Sequence, residues 1–95
     1  MKPGYLYIVT NKAHPGFVKV GVTGDIKSRL HVYQTGDPKR SYKVEFYIFH
    51  PDAYTAEKKI KESMRYFAKS QRNEWFEVDI QVAIVRLQEQ VECAD

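Results

Sequence analysis

Tyr7, Lys19, Arg29, Tyr33 and Glu57 are the residues of this chain whose types and order could do chemistry together. Tyr7 sits in the run Tyr5-Leu6-Tyr7-Ile8, and Lys19-Val20-Gly21 follows after an eleven-residue gap. Arg29 lies eight residues past Gly21, Tyr33 four residues further on, and Glu57 well downstream. A guanidinium can offer a bidentate fork to a phosphate group. A lone carboxylate suits Mg²⁺, which keeps most of its waters and takes few protein ligands. Hydrolysis of a phosphodiester needs an activated water, a cation to take charge on the phosphoryl and leaving oxygens, and fixed positioning. Each residue also has a plainer role open to it. Tyr7 is then half-buried packing, Lys19 a solvated strand lysine, and Gly21 a point of close packing or positive φ. Arg29 pairs with Asp25, and Glu57 with Lys61, each four residues away on one helical face.

The elements that must position these residues are legible in the pattern. Tyr5 to Thr10 is aromatic and β-branched, so it reads as a strand, and Asn11 to Gly16 reads as a turn marked by Pro15-Gly16. Phe17 to Gly21 is the returning strand of a hairpin. Parity puts Leu6, Ile8, Val18 and Val20 on one face and leaves Lys19 on the face of Tyr7. A helix follows, capped by Thr23 or Asp25, ended by Thr35-Gly36, and buried along Ile26, Leu30 and Tyr33. After a basic loop, Tyr42 to Phe49 reads as a third strand with Val44, Phe46 and Ile48 on one face. Asp52 can cap a second helix whose stripe is Ala56, Ile60, Met64 and Phe67. Trp75 to Val78 is a short last strand, with Trp75 and Phe76 read as structural core residues. Asp79 then caps a final helix with the stripe Ile80, Ala83, Ile84, Leu87 and Val91. The order is ββαβαβα, an α/β (α+β) class with one small mixed sheet and helices packed on it. A single domain over residues 1–95 is expected, with a core at 4–78 and a C-terminal helix at about 79–92.

The ordered set resembles the GIY-YIG nuclease superfamily. The first motif of that superfamily ends in Tyr with Asn four residues later, as Tyr7 and Asn11 stand here, and its second motif ends in Gly, like Gly21. Its helical Arg falls at Arg29, and its metal-binding Glu fits Glu57. A phage-rich, DNA-binding branch reads Tyr-X-Tyr-Ile, Val/Ile-Lys-Ile/Val-Gly-X-Thr, Arg-Leu and finally Glu-Trp-Phe. This chain supplies Tyr5-Leu6-Tyr7-Ile8, Val18-Lys19-Val20-Gly21-Val22-Thr23, Arg29-Leu30 and Glu74-Trp75-Phe76 over roughly residues 4–78. The resemblance implies that Tyr7 acts in water activation, Glu57 holds one divalent ion (Mg²⁺ or Mn²⁺), and Arg29 stabilises the phosphate. Lys19 stands where typical members carry a second Tyr, and some members carry Lys there. Facing Tyr7, its ammonium would lower the phenol pKa and favour phenolate. Tyr33 stands where several members have His or Tyr, and Asn73 is the nearest candidate for a late Asn. A metal-dependent endonuclease-type domain acting on DNA, phage or mobile-element encoded, is what the resemblance implies. The alternative is a DNA-binding module of the same fold without efficient cleavage, or an inhibitor of a host protein.

Composition agrees with a basic working face. Residues 1–73 hold 14 basic and 6 acidic residues, whereas residues 74–95 hold Arg86 against six acids. Lys39, Arg40 and Lys43 around the loop, with Lys58, Lys61 and Arg65 on the second helix, suit a nucleic-acid backbone. Little base-specific readout is expected, because no recognition helix or zinc finger is present. RNA is not separated from DNA, since nothing reads a 2′-hydroxyl recognisably. Val82 and Val85 widen the apolar face of the last helix, which would suit a homodimer seam or a protein partner. Other chemistries are poorly served. Gly21-Val22-Thr23-Gly24-Asp25 lacks the Gly-Lys-Ser/Thr ending of a phosphate-binding loop. His14, His31 and His50 lack zinc-ligand spacing, and His31 and His50 read as surface residues. The single Cys93 rules out an internal disulfide and sits in an acidic tail that disfavours a thiolate. The opening apolar run, Tyr5 to Val9, is too short for a signal peptide or membrane span. A cytoplasmic domain with no membrane role is expected, in the host cell if phage encoded.

Overall fold

The computed structural model describes residues 2–92, so Cys93 and Asp95 of the acidic tail lie outside the described residues. Along the chain run β1 (Gly4–Asn11), β2 (Phe17–Thr23), α1 (Ile26–Thr35), β3 (Tyr42–His50) and α2 (Ala53–Phe67), then β4 (Ser70–Arg72), β5 (Trp75–Glu77) and α3 (Ile80–Glu92). The five strands form one sheet in the order β3-β1-β2-β5-β4. Three helices on one sheet is the α+β class expected from the pattern. The sheet is antiparallel at every pairing, and it has one strand more than the pattern shows. The extra strand, β4, is polar on both faces and carries no period-two signal. It pairs because left-handed Asn73 (φ 55°) turns the chain directly back into β5.

The parity argument decides what lies where. Leu6, Ile8, Val18, Val20 and Phe76 form one face of the sheet and pack against Ala53, Ala56, Ile60, Met64, Ala83 and Leu87 of α2 and α3. Each large side chain fully buried there contributes about 1.5–3 kcal/mol. The opposite face carries Tyr5, Tyr7, Val9 and Lys19, with their cross-strand partners Gly21, Tyr47 and Trp75. On β3 the register shifts between Ile8 and Val9, so Phe46 opposes Ile8 but Val44 opposes Val9. This bulge at Glu45 moves Val44 to the Tyr7 face, away from Phe46 and Ile48 with which simple alternation grouped it.

Helix ends follow local chemistry. The Asp25 carboxylate caps α1, accepting from the Ser28 N–H at 3.1 Å, and Asp79 caps α3 by accepting from the Gln81 N–H at 2.8 Å. Asp52 makes no side-chain cap on α2. Its own N–H donates to His50 Nδ1 at 2.9 Å, and His50 Nε2 meets the Gln90 carbonyl at 3.2 Å. His50 is thus a buried tie between β3, α2 and α3, not the surface residue expected. Phe67 leaves the α2 stripe as well. It is half exposed, and the Arg86 guanidinium lies 4.0 Å from its ring centroid.

Candidate active site

The site lies on the Tyr7 face, where the short β5 stops. β5 pairs with β2 only over Phe17–Lys19, which leaves the edge of Val20–Thr23 open. Glu57 and Lys61 of α2 reach that opening, while α1 crosses the face and supplies Arg29 and Tyr33. The result is a polar pocket of about 250 Å³ bounded by Tyr7, Lys19, Arg29, Tyr33, Glu57 and Glu74. Five residues singled out in the sequence therefore converge from four elements.

Gly21 explains how Tyr7 gets there. The two residues are cross-strand partners, and a Cβ at position 21 would collide with the Oη and Cζ atoms of Tyr7. Close packing, rather than a positive φ, is the reason for glycine at this position. The phenol end of the ring covers the glycine, and its hydroxyl shares a 2.8 Å hydrogen bond with that of Tyr33. Tyr7 is only 3% exposed. Burial pushes its phenol well above the ordinary tyrosine range, and the bond to Tyr33 adds to that, against the pull of the Arg29 guanidinium. The neutral phenol is the form held at physiological pH.

Lys19 does not lower that pKa. It shares the Tyr7 face, as parity requires, but its Nζ pairs with Glu74 Oε2 at 3.1 Å and lies 5.2 Å from the Tyr33 ring centroid. Burial is the largest single influence and disfavours the Lys19 ammonium, but the hydrogen bond and charge of Glu74, with the Tyr33 and Tyr42 phenols, together outweigh it and hold the lysine above its usual pKa. The Glu74 carboxyl is correspondingly held below the usual carboxylate range by its bond from Lys19. Glu74 is the site residue that sequence reasoning used only as part of a motif. Its contact with Lys19 depends on β5 lying beside β2, which no local sequence pattern signals.

Glu57 and Lys61 form the i, i+4 pair anticipated as the plain reading, at a loose 3.5 Å. Arg29 makes no ion pair with a carboxylate among the described residues, and only its backbone N–H returns to the Asp25 carbonyl. Its guanidinium is available to an anion in the pocket. Among the described residues no three metal-ligating side chains cluster. Glu57 is the pocket carboxylate that could hold a single hydrated cation, since Glu74 is engaged by Lys19. That donor set fits an ion which keeps most of its waters.

The other sequence candidates are dispersed. Lys39 and Arg40 ride on the α1–β3 loop, whose shape is set by Asp37. That carboxylate accepts from the Ser41 and Lys39 N–H groups at 2.9 and 3.0 Å and from Asn11 Nδ2 at 3.1 Å. Lys43 opposes Thr10, on the sheet face away from Tyr7, and contacts Glu45 at 3.7 Å. Lys58 and Arg65 are exposed along α2, outside the pocket. Phe76 is core, but Trp75 points to the other face and is only half-buried. Asn73 serves the β4–β5 turn and lies outside the pocket.

A family model described as the T5orf172 domain matches residues 4–92. No curated protein and no solved structure matches the chain. None of the described helices is long and apolar enough to cross a membrane.

Proposed function

Because the chain belongs to the T5orf172 domain family, found in phage and nuclease-like proteins, we propose that it is a GIY-YIG-type endonuclease domain hydrolysing DNA phosphodiesters. The observation that carries this is the meeting of Tyr7, Arg29, Tyr33 and Glu57 in one polar pocket. Arg29 binds the scissile phosphate and takes up charge on its oxygens as it is attacked. The hydrogen-bonded hydroxyls of Tyr7 and Tyr33 hold the attacking water in line. Tyr7 works as a neutral phenol, so with Tyr33 it orients the water by hydrogen bonding and does not start as a phenolate base. Lys19, held as an ammonium by Glu74, forms an ion pair at the edge of the pocket and leaves Arg29 as the cation free to meet the phosphate. Glu57 is the residue that would hold Mg²⁺ or Mn²⁺, which when bound stabilises negative charge on phosphate oxygens.

A second reading has its own observation. Lys61 sits 3.5 Å from the Glu57 carboxylate and competes with a cation for it, as a DNA-binding module without efficient cleavage would allow. Nicking of supercoiled DNA under Mg²⁺ or Mn²⁺ titration separates the two. Metal-dependent nicking that disappears in Glu57→Ala supports the enzyme. Salt-sensitive binding by both proteins with no nicking by either overturns it.

A further inference from the structure

We propose that the groove leading from this pocket over Tyr42, Trp75 and His14 is a stacking track for unpaired DNA bases, so that the substrate carries a single-stranded stretch beside the cleaved bond. The proposal rests on the reading of the site as one that acts on DNA. Two depressions, of about 470 and 490 Å³, continue from the pocket. The first shares Lys19 and Tyr33 with the pocket, and the second shares His14 with the first. Aromatic rings follow this path without a break. Tyr33 stacks on Tyr42 with centroids 4.9 Å apart and an interplanar angle of 21°. Tyr42 in turn lies 6.2 Å from Trp75 at 29°, and His14 lies 5.1 Å from Trp75. These rings lie on the sheet face opposite the apolar cluster, and none of the four is fully buried.

Charge completes the fit. Trp75 has Lys19 as its cross-strand partner on β2 and Arg72 as its partner on β4, so a cation flanks the indole on either side. Lys39 lines the first depression and Arg72 the second, and neither meets a carboxylate within ion-pair distance among the described residues. The acid of the groove, Asp37, has its oxygens occupied by N–H donors of Lys39, Ser41 and Asn11. Partly exposed rings beside the unpaired cations Lys39 and Arg72 match exposed bases on a phosphate backbone. A fully paired duplex buries its base faces and offers no such partner.

Trp75 is the only tryptophan in the chain, so its fluorescence reports stacking directly. The experiment titrates the intact protein, with EDTA present, against a blunt duplex, the same duplex with a single-stranded overhang, a single-stranded DNA oligonucleotide and the single-stranded RNA of the same sequence. Fluorescence anisotropy of a label on the DNA reports binding independently of Trp75. The expected result is quenching by the overhang and single-stranded DNAs, with the blunt duplex bound but not quenching. His14→Ala and Arg72→Ala, both exposed and outside the pocket, should weaken overhang binding about tenfold while leaving blunt-duplex binding unchanged. Overhang DNA that binds without quenching, or a blunt duplex that quenches equally, overturns the track and leaves the DNA reading standing. Quenching by single-stranded RNA but not DNA overturns the choice of substrate. Absence of binding to any DNA overturns both.

Discussion

The Tyr7 ring occupies the space that any side chain at position 21 would need. Gly21→Ala should therefore destabilise the protein by about 1–3 kcal/mol through overpacking, measured by urea unfolding. A shift below a few tenths would mean that the ring does not sit there. The buried phenol makes a second prediction, on pH. Its folded pKa lies above its unfolded value, so its contribution to stability is complete below about pH 10 and is lost as pH rises beyond it. The alkaline loss of stability should be shallower in Tyr7→Phe than in the wild type. Identical curves would show that the phenol titrates as an ordinary tyrosine. The Lys19–Glu74 pair is half open to water at Glu74, and Glu74→Gln should change stability by no more than about 1 kcal/mol. Its larger effect belongs to the site, where the Lys19 ammonium would lose the partner that fixes it.

Elements were legible wherever burial imposes a period. The α2 stripe of Ala56, Ile60 and Met64, the β1–β2 hairpin and the caps at Asp25 and Asp79 all follow from the sequence alone. Parity also put Lys19 on the face of Tyr7, yet it could not show that Glu74 claims the ammonium. That contact depends on β5 lying beside β2, a pairing between distant segments. The other misses have local causes as well. The bulge at Glu45 shifts Val44 between faces, and a one-residue insertion leaves no mark on composition. β4 exists because the Asn73 turn delivers it to β5, and Trp75 leaves the core because its neighbour Phe76 takes the buried face. His50 looked like a surface residue because its partners come from two helices. Its imidazole accepts the Asp52 N–H at 2.9 Å at the start of α2. His50→Ala, which strands that donor, should cost about 1–3 kcal/mol by thermal or urea denaturation. A neutral substitution would mean that water or a neighbouring group replaces the ring.

Across the whole molecule the two sheet faces have separate duties. One is filled by α2 and α3 and holds the fold. The other carries α1, the pocket and the aromatic groove. Lys58 and Arg65 lie along α2 outside the pocket, so they are placed for backbone contacts away from the chemistry. Replacing either with Ala should lower the slope of log affinity against log salt by about 1 and leave the cleavage rate of bound DNA unchanged. A fall in the single-turnover rate would instead place them in the site.

The most direct test of the central claim is the single-turnover cleavage rate at saturating protein, with Mg²⁺ present and DNA binding followed in parallel. Wild type, Glu57→Ala, Arg29→Ala and the double variant are compared. Each single change should slow cleavage by about 10²–10³-fold with DNA still bound, and the double should be less than the product of the two, as for groups acting on one phosphate. Unchanged rates in both single variants, or losses traceable entirely to weaker binding, would contradict a shared active site at Tyr7, Arg29, Tyr33 and Glu57.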